Sequence, residues 1–312
     1  MNLHQFQFVQ EVARHGLNLT ETAKALHTSQ PGVSKSILEL EAELGIDIFV
    51  RHGKRIKSMT EPGLEVLKTV EIIMRELGNL RRIGEQYTTQ DSGTLSIATT
   101  HTQARYVLPA PISSLRAEFP KVNVSLHQGN PIQVARMLID ETADIGIATE
   151  SLADYTELVT LPCYEWQHML VMPENHPLAA KKQILLADLA EYPLITYHPT
   201  FTGRTKIDEA FHAANLHPRI ALEAIDSDVI KTYVASGMGV GILAEMAIRD
   251  ELSGQSMLTK PLQIRPAGHL FGKNITKIAF KRGAYLRNFV YSFAKALAPQ
   301  LSKSDIDKAL AA

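Results

Sequence analysis

Apolar residues recur every three to four positions along the first quarter of the chain, then gather into short runs separated by polar turns. Leu3, Phe6, Val9, Val12 and Ala13 fall at helical spacing and predict a first amphipathic helix. His15-Gly16 ends it, since Gly takes the left-handed cap conformation at little cost. Asn18 reads as the N-cap of a second helix, with Glu21 placed to reach back as in a capping box and Ala23 and Leu26 turned inward. Ser29 caps a third helix, Pro31 lies in its first turn, and Val33, Ile37, Leu40 and Leu44 form its buried stripe. Glu39, Glu41 and Glu43 read as a solvated surface. From Phe49 to Thr60 come Arg51, Lys54, Arg55 and Lys57 with no acid, and Gly53 would turn them into a small basic hairpin, or wing. Thr60 then caps a longer helix carrying Val66, Val70, Ile73, Leu77 and Leu80, a heptad-like seam. That seam either packs on its own winged domain or pairs with a second copy. The polar stretch Tyr87 to Gly93 reads as a hinge.

Beyond the hinge, strands and helices alternate. TLSIATT, VNVSLHQ and DIGIAT read as strands, and residues 102–119 and 131–140 as helices. A second set begins near Trp166 with HMLVMP and continues through PLITYH, GRTKIDEAFHAANL, RIALEAI, DVIKTYVASG and GVGILA. ITKIAF and a helix over 282–297 resemble the first set in character. Alternation of this kind predicts an α/β fold with a mainly parallel sheet. The simplest path crosses to a second lobe near Cys163 and returns near Gly268. The fold class expected is therefore an N-terminal all-α winged helix-turn-helix plus linker helix, followed by a C-terminal α/β two-lobed domain of the periplasmic-binding-protein-like kind. The expected divisions are 1–59 (winged helix-turn-helix), 60–92 (linker helix and hinge), 93–163 with 268–298 (subdomain I), 164–267 (subdomain II) and 299–312 (tail).

Two candidate sites follow. In a helix-turn-helix the start of the second helix of the motif meets the base edges. Gln30 can pair with adenine and Ser34 with any base, whereas Thr28, Ser29 and Lys35 suit phosphates. Arg51, Lys54 and Arg55 would lie along the backbone, displacing counterions. In the lobes, ligands of parallel sheets sit beyond the carboxyl ends of strands. There the chain places Thr100-His101-Thr102-Gln103, Thr149-Glu150 and Pro199-Thr200-Phe201-Thr202-Gly203. Hydroxyls, an amide and helix N-termini suit a small anion, a weakly basic oxyanion or a carboxylate.

Bulk properties narrow this reading. The net charge of −1 over 312 residues makes any DNA affinity local, not global. A single cysteine, Cys163, excludes an internal disulfide framework and fits a reducing cytosol. The N-terminus lacks a charged-then-apolar leader, and no apolar run approaches the ~18 residues of a membrane span. A cytoplasmic location is expected, which argues against a secreted solute receptor. The 12 histidines show no HxxxH or HExxH spacing, so no metal and no cofactor is expected. No Ser sits in a G-x-S-x-G elbow, and the Gly237–Gly241 run precedes a strand. An enzyme built on two lobes would have only His101 and Glu150 near the cleft, with nothing to orient either.

Thr28 to Pro31, Ser34, Leu40-Glu41, Leu44-Gly45, Phe49 and Arg51 together resemble the N-terminal domain of LysR-type transcriptional regulators. Ile48 stands where that pattern usually has Leu. The resemblance implies the two-lobed effector domain, promoter DNA as a partner, a homo-oligomer (a dimer of dimers) and contact with RNA polymerase. TLSIATTHTQARYVLP, IATE, PCYEW, FTGRTKIDEAF and DVIKTYVASGMGVGILA further resemble the CysB-type subgroup, which governs sulfur assimilation. That likeness runs through residues 1–298 and implies effector-binding roles for Thr100, Thr102, Gln103, Thr149 and Thr202. Tyr164, Trp166 and Asp228 lie in matching stretches and are further cleft candidates. The implied effectors are N-acetylserine or O-acetylserine, opposed by reduced sulfur species such as thiosulfate, with sulfate as a further cleft ligand.

Overall fold

Local caps set the helix starts in the first part of the chain. The computed structural model describes residues 1–53, 55–88, 92–249 and 261–311, with the side chains of Glu150 and Thr202 left out. The chain divides into two units, Met1–Tyr87 and Thr88–Ala312. In the first, α1 (Leu3–Arg14) opens with a capping box between Asn2 and Gln5. Asn18 caps α2 (Leu19–Ala25) by accepting from the backbone N–H of Thr20 and Glu21. Glu21 does not reach back as expected; its carboxylate accepts from Lys24 at 2.9 Å. Ser29 caps α3 (Gln30–Leu44), accepting from Gly32, and Gly45 closes that helix at φ 71°. β1 (Phe49–His52) and β2 (Arg55–Met59) form the antiparallel wing, turned at Gly53 with φ 61°. Val9, Val12, Val33, Ile37, Leu40, Ile48 and Phe49 make the core, with Val66 and Leu67 of α4 (Glu61–Thr88) packed against it. The near half of the heptad-like seam therefore serves its own domain, while Leu80 stays 65% exposed.

Glu41 corrects the reading of a solvated acidic surface. Its side chain is buried and accepts the backbone N–H of Ile48 and Phe49 at 2.9 and 3.1 Å. Arg51 donates to its other oxygen at 2.8 Å. The turn after α3 needs an acceptor there, because two buried N–H groups would otherwise have none.

The second unit is built on one continuous sheet. Its described strands are β3 (Ser92–Thr99), β4 (Lys121–Gln128), β5 (Ile145–Thr149), β6 (Leu158–Pro173), β7 (Leu194–Tyr197), β8 (Ile220–Ala224), β9 (Val240–Ala244), β10 (Leu262–Pro266) and β11 (Lys273–Lys281). Their order is β4-β3-β5-β11-β6-β9-β7-β8, with β10 also on β6. The strand β6 belongs to both lobes. It pairs with β11 through Gln167 and with β9 from His168 onward, so the crossing lies at Gln167–His168. The outer pairs β3–β4, β3–β5, β7–β8 and β7–β9 are parallel. Pairs involving β6 and β11 are antiparallel, since one strand carries the chain out and the other brings it back. The sheet is thus mixed, not mainly parallel.

Helices cover both faces of each lobe. Lobe I carries α5 (His101–Tyr106), α6 (Pro109–Glu118) and α7 (Pro131–Ile139). The expected helix over 102–119 is broken before Pro109, whose ring cannot sit inside a helix. Lobe II carries α8 (Leu186–Ala190), α9 (Thr202–Ala213) and α10 (Ser227–Ala235), and α11 (Gly268–Phe271) lies on the return path. The chain ends in α12 (Asn288–Leu297) and α13 (Lys303–Ala311) on lobe I. The expected tail is therefore a helix, with Ile306 buried beside Phe289 and Phe293 and Leu310 packed against that cluster. The cores of the lobes are separate: Leu95, Ile97, Ile145 and Phe280 in one, Leu170, Met172, Leu194 and Ile242 in the other.

Candidate functional site

Between the lobes lies a cavity of about 400 Å³, walled by Thr100, Thr102, Gln103 and Thr149 from lobe I, Tyr197, Phe201 and Gly203 from lobe II, and Trp166 on β6. Pro131, Ala244 and Met246 complete the wall. Thr100, Thr102, Gln103 and Thr149 sit where a strand ends and a helix begins, whereas Trp166 lies within β6. Thr100 is the N-cap of α5, Thr149 precedes a 3₁₀ turn, and Phe201 precedes α9. None of the three makes a side-chain cap bond. Asn2, Asn18, Ser29, Asn130 and Asp226, away from this cavity, all do. Helix starts without caps leave backbone N–H groups lacking intrahelical partners. Around the cavity these add a positive edge without any charged side chain.

Two wall residues carry a buried polar atom with no hydrogen-bond partner: Thr149 Oγ1 and Trp166 Nε1. The residues are 8% and 6% exposed and line the cavity. Other wall groups are engaged. Thr102 Oγ1 lies 3.1 Å from Ser227 Oγ, which lies 2.8 Å from the Tyr197 hydroxyl. Ala244 donates its backbone N–H to that same hydroxyl at 3.0 Å. Burial pushes the Tyr197 phenol above its ordinary range. Gln103 is held from behind: Tyr164 donates to its Oε1, and its Nε2 donates to Thr276 at 3.3 Å. Arg204 donates to the carbonyl of Tyr197 and to Asp208 and Glu223, which fixes the start of α9 against β7 and β8.

The structure thus brings Thr100, Thr102, Gln103, Thr149 and Trp166 to one wall. Tyr164 stands behind Gln103 and is not on it. The side chain of Thr202 lies outside the described residues, although its neighbour Gly203 lines the cavity. Asp228 sits apart, in a seam where α5 meets α10. There Arg105 Nε reaches its Oδ2 at 2.6 Å, and Tyr106 donates to its Oδ1 at 2.5 Å. Lys231 completes the cluster, 3.0 Å from both Asp228 Oδ1 and the Tyr106 hydroxyl. Burial pushes the Asp228 carboxyl up, but Tyr106, Lys231 and Arg105 together hold it below its ordinary value. Burial and the bond to Asp228 push the Tyr106 phenol up to about 12. Tyr197 and Ser227 were not foreseen; the available signal was only that Tyr197 closes the PLITY strand.

The other candidate face belongs to the first unit. Thr28, Ser29 and Lys35 are exposed at the start of α3, with Gln30 and Ser34 half-buried beside them. Gln30 shares a concavity with Arg55 of the wing and with Asn18 and Thr20 of α2. Thr20 was not singled out from the sequence. Lys35 lies 3.8 Å from Glu39 in an exposed pair, which holds it only weakly. Arg51 braces buried Glu41. Lys54 lies outside the described residues. Among the described residues no group of His, Cys, Asp and Glu is placed to hold a metal ion, and no helix is long and apolar enough to cross a membrane.

Known proteins match the whole of this arrangement. A family described as "Bacterial regulatory helix-turn-helix protein, lysR family" matches residues 3–64, and "LysR substrate binding domain" matches residues 88–301. The HTH-type transcriptional regulator CysB of Burkholderia cenocepacia is 55% identical over 310 residues, covering 99% of this chain and 97% of its own length. The HTH-type transcriptional regulator SsuR of the same organism is 47% identical over 306 residues, covering 98% and 97%. The crystal structure of the cofactor-binding domain of the Cbl transcriptional regulator is 42% identical, with a TM-score of 0.66 over 70% of this chain and 93% of that one. These relatives are named as transcriptional regulators, not enzymes.

Proposed function

This chain belongs to the LysR family of transcriptional regulators, related to CysB, SsuR and Cbl, and on that premise we propose that it controls sulfur-assimilation and cysteine-biosynthesis genes in response to a small anion. The observation that carries the anion reading is the pair of buried, unpartnered groups at Thr149 and Trp166. An indole N–H only donates, so the ligand atom beside it must accept. Leaving such a donor unmet costs about 1–3 kcal/mol, which a bound oxyanion or carboxylate recovers. No cation lines the cavity among the described residues, so the site suits an anion held by neutral donors. N-acetylserine, O-acetylserine, sulfate and thiosulfate each present such an acceptor. Thr100, Thr102, Gln103, Thr149, Thr202 and Trp166 would contact it, Tyr164 would orient Gln103, and Asp228 would act through the seam.

The first unit would grip promoter DNA. Gln30 and Ser34 would read bases; Thr28, Ser29, Lys35, Lys54 and Arg55 would hold phosphates, with Arg51 bracing the wing. Two copies would bind a palindrome, in a dimer or dimer of dimers, with RNA polymerase as a further partner. The division at 1–59, 60–92, 93–163 with 268–298, 164–267 and 299–312 is our proposal for how these roles are shared. Calorimetric titration of the full chain with each of the four ligands tests the site. At least one is expected to bind, and Thr102→Val to abolish that binding while leaving promoter affinity in place. An unchanged titration for Thr102→Val would overturn the assignment.

A further inference from the structure

A second cavity of about 520 Å³ adjoins the first, walled by His101, Gln128, Gly129, Asn130 and Gln133 from lobe I and by Thr200, Phe201 and Ile225 from lobe II. Phe201 lines both cavities, and the wall residues alternate between them along the chain: Thr100 inside and His101 outside, Pro131 inside and Asn130 outside, Gly203 inside and Thr200 outside. The two walls differ in chemistry. The inner one ends in the unpartnered Thr149 and Trp166. On the outer one, Asn130 and Gln133 accept each other's backbone N–H at 2.9 Å, and the Thr200 hydroxyl lies 3.0 Å from His198 Nδ1. The Phe201 ring and Ile225, which is 62% exposed, supply its apolar surface, beside His101 and the exposed Gln128.

His101 stands at the border. Its Nε2 lies 3.4 Å from Asp226 Oδ2. Its Nδ1 is buried and has no partner.

We propose that the outer cavity is a second subsite for the same effector, taking an uncharged tail while the inner cavity holds the anionic head. This rests on the anion reading above. The ligand class is then a short organic acid with an apolar tail extending past Phe201. An inorganic oxyanion fills the inner part alone. The outer space exceeds what an acetyl group occupies, so lengthening the tail strengthens binding.

The test is calorimetry on the full chain with sulfate, N-acetylserine and N-butyrylserine, for wild type and Ile225→Trp. For wild type, affinity is expected to rise about three-fold per added methylene from acetyl to butyryl. Ile225→Trp, at an exposed position, fills the outer space; it is expected to abolish that gain and leave sulfate affinity within about two-fold. His101→Phe supplies a second measurement, lowering affinity for the acylated ligands and not for sulfate. Affinity that falls or stays flat with tail length, or an Ile225→Trp loss shared equally by sulfate, overturns the second subsite while the anion site stands. A wild type that binds none of the probes brings down both.

Discussion

Single side chains decide the chemistry of both candidate sites. Trp166 is the one tryptophan of the chain and offers a lone donor to the inner cavity. Trp166→Phe keeps an aromatic wall but removes the N–H together with one ring of the indole, which packs in a small core cluster with Ala244 and Met246. Effector affinity is expected to fall about ten-fold and the melting temperature by a few degrees, read by calorimetry and thermal unfolding. A lower melting temperature with effector affinity unchanged would make Trp166 a packing residue alone. Glu41 is the counterpart in the first unit. Glu41→Ala strips two backbone N–H groups of their acceptor and leaves Arg51 unpaired. The expected cost is about 3 kcal/mol, seen as early unfolding of the N-terminal unit in denaturant titration. The threonines were legible in the sequence because each follows a strand. Glu41 was not, because the groups that need it lie beyond a turn and reach it only when Ile48 folds back.

At the scale of elements, α5 and α10 are the parts of the lobes that touch beside the cavity. His101, Thr102, Arg105 and Tyr106 face Asp226, Ser227, Asp228 and Lys231. One residue of this seam, Thr102, also lines the cavity, so ligand and lobe arrangement share a hydrogen-bonded group. Tyr106→Phe removes two bonds across the seam without touching the cavity wall. It is expected to weaken effector binding a few-fold, about the range of a lost interlobe bond, and to speed hydrogen exchange in α5 and α10 only without ligand. Unaltered exchange would show that the seam does not limit opening. The same seam has a pH sign. The Asp228 carboxyl is held below its ordinary value of 3.8, so its contribution is fully present above that value. It is lost as pH falls below it through the lowered pKa of the folded state. Near neutrality the contribution of Asp228 is expected to be indifferent to pH, a point checked by exchange rates at two pH values after correction for intrinsic chemistry. The break between α5 and α6 could be read from Pro109, and the closing helix from the Ser302–Asp305 pair, whose side chains and backbone N–H groups bond reciprocally. The 16-residue strand β6 could not, because Pro162 interrupts its apolar pattern. A register shift opposite Tyr164 and Pro162 accommodates that interruption, and Gln300 donates to the carbonyls of Pro162 and Cys163.

For the whole molecule, the exposed residues of α4 carry the assembly question. Leu64, Ile72, Leu80, Ile83 and Tyr87 are all exposed along one 28-residue helix. A second copy pairing there would cover them, as two-fold DNA requires. Leu80→Lys with Ile83→Lys is expected to shift the sedimentation of the full chain toward the monomer and to weaken promoter binding by at least about ten-fold, through lost bivalency. Unchanged sedimentation would move the pairing surface elsewhere.

Two kinds of information separate here. Local order belonged to the sequence alone: Asn18 and Ser29 as caps and Gly53 as the wing turn all act within a few residues of themselves. Which groups finish without a partner was decided only by the tertiary structure. Thr149, Trp166 and His101 carry buried, unpartnered polar atoms because β6 carries the chain into a second lobe whose helices close over them. Glu41 is buried because the chain returns to it. A hydrogen bond is local chemistry, but its absence is a property of everything packed around the group.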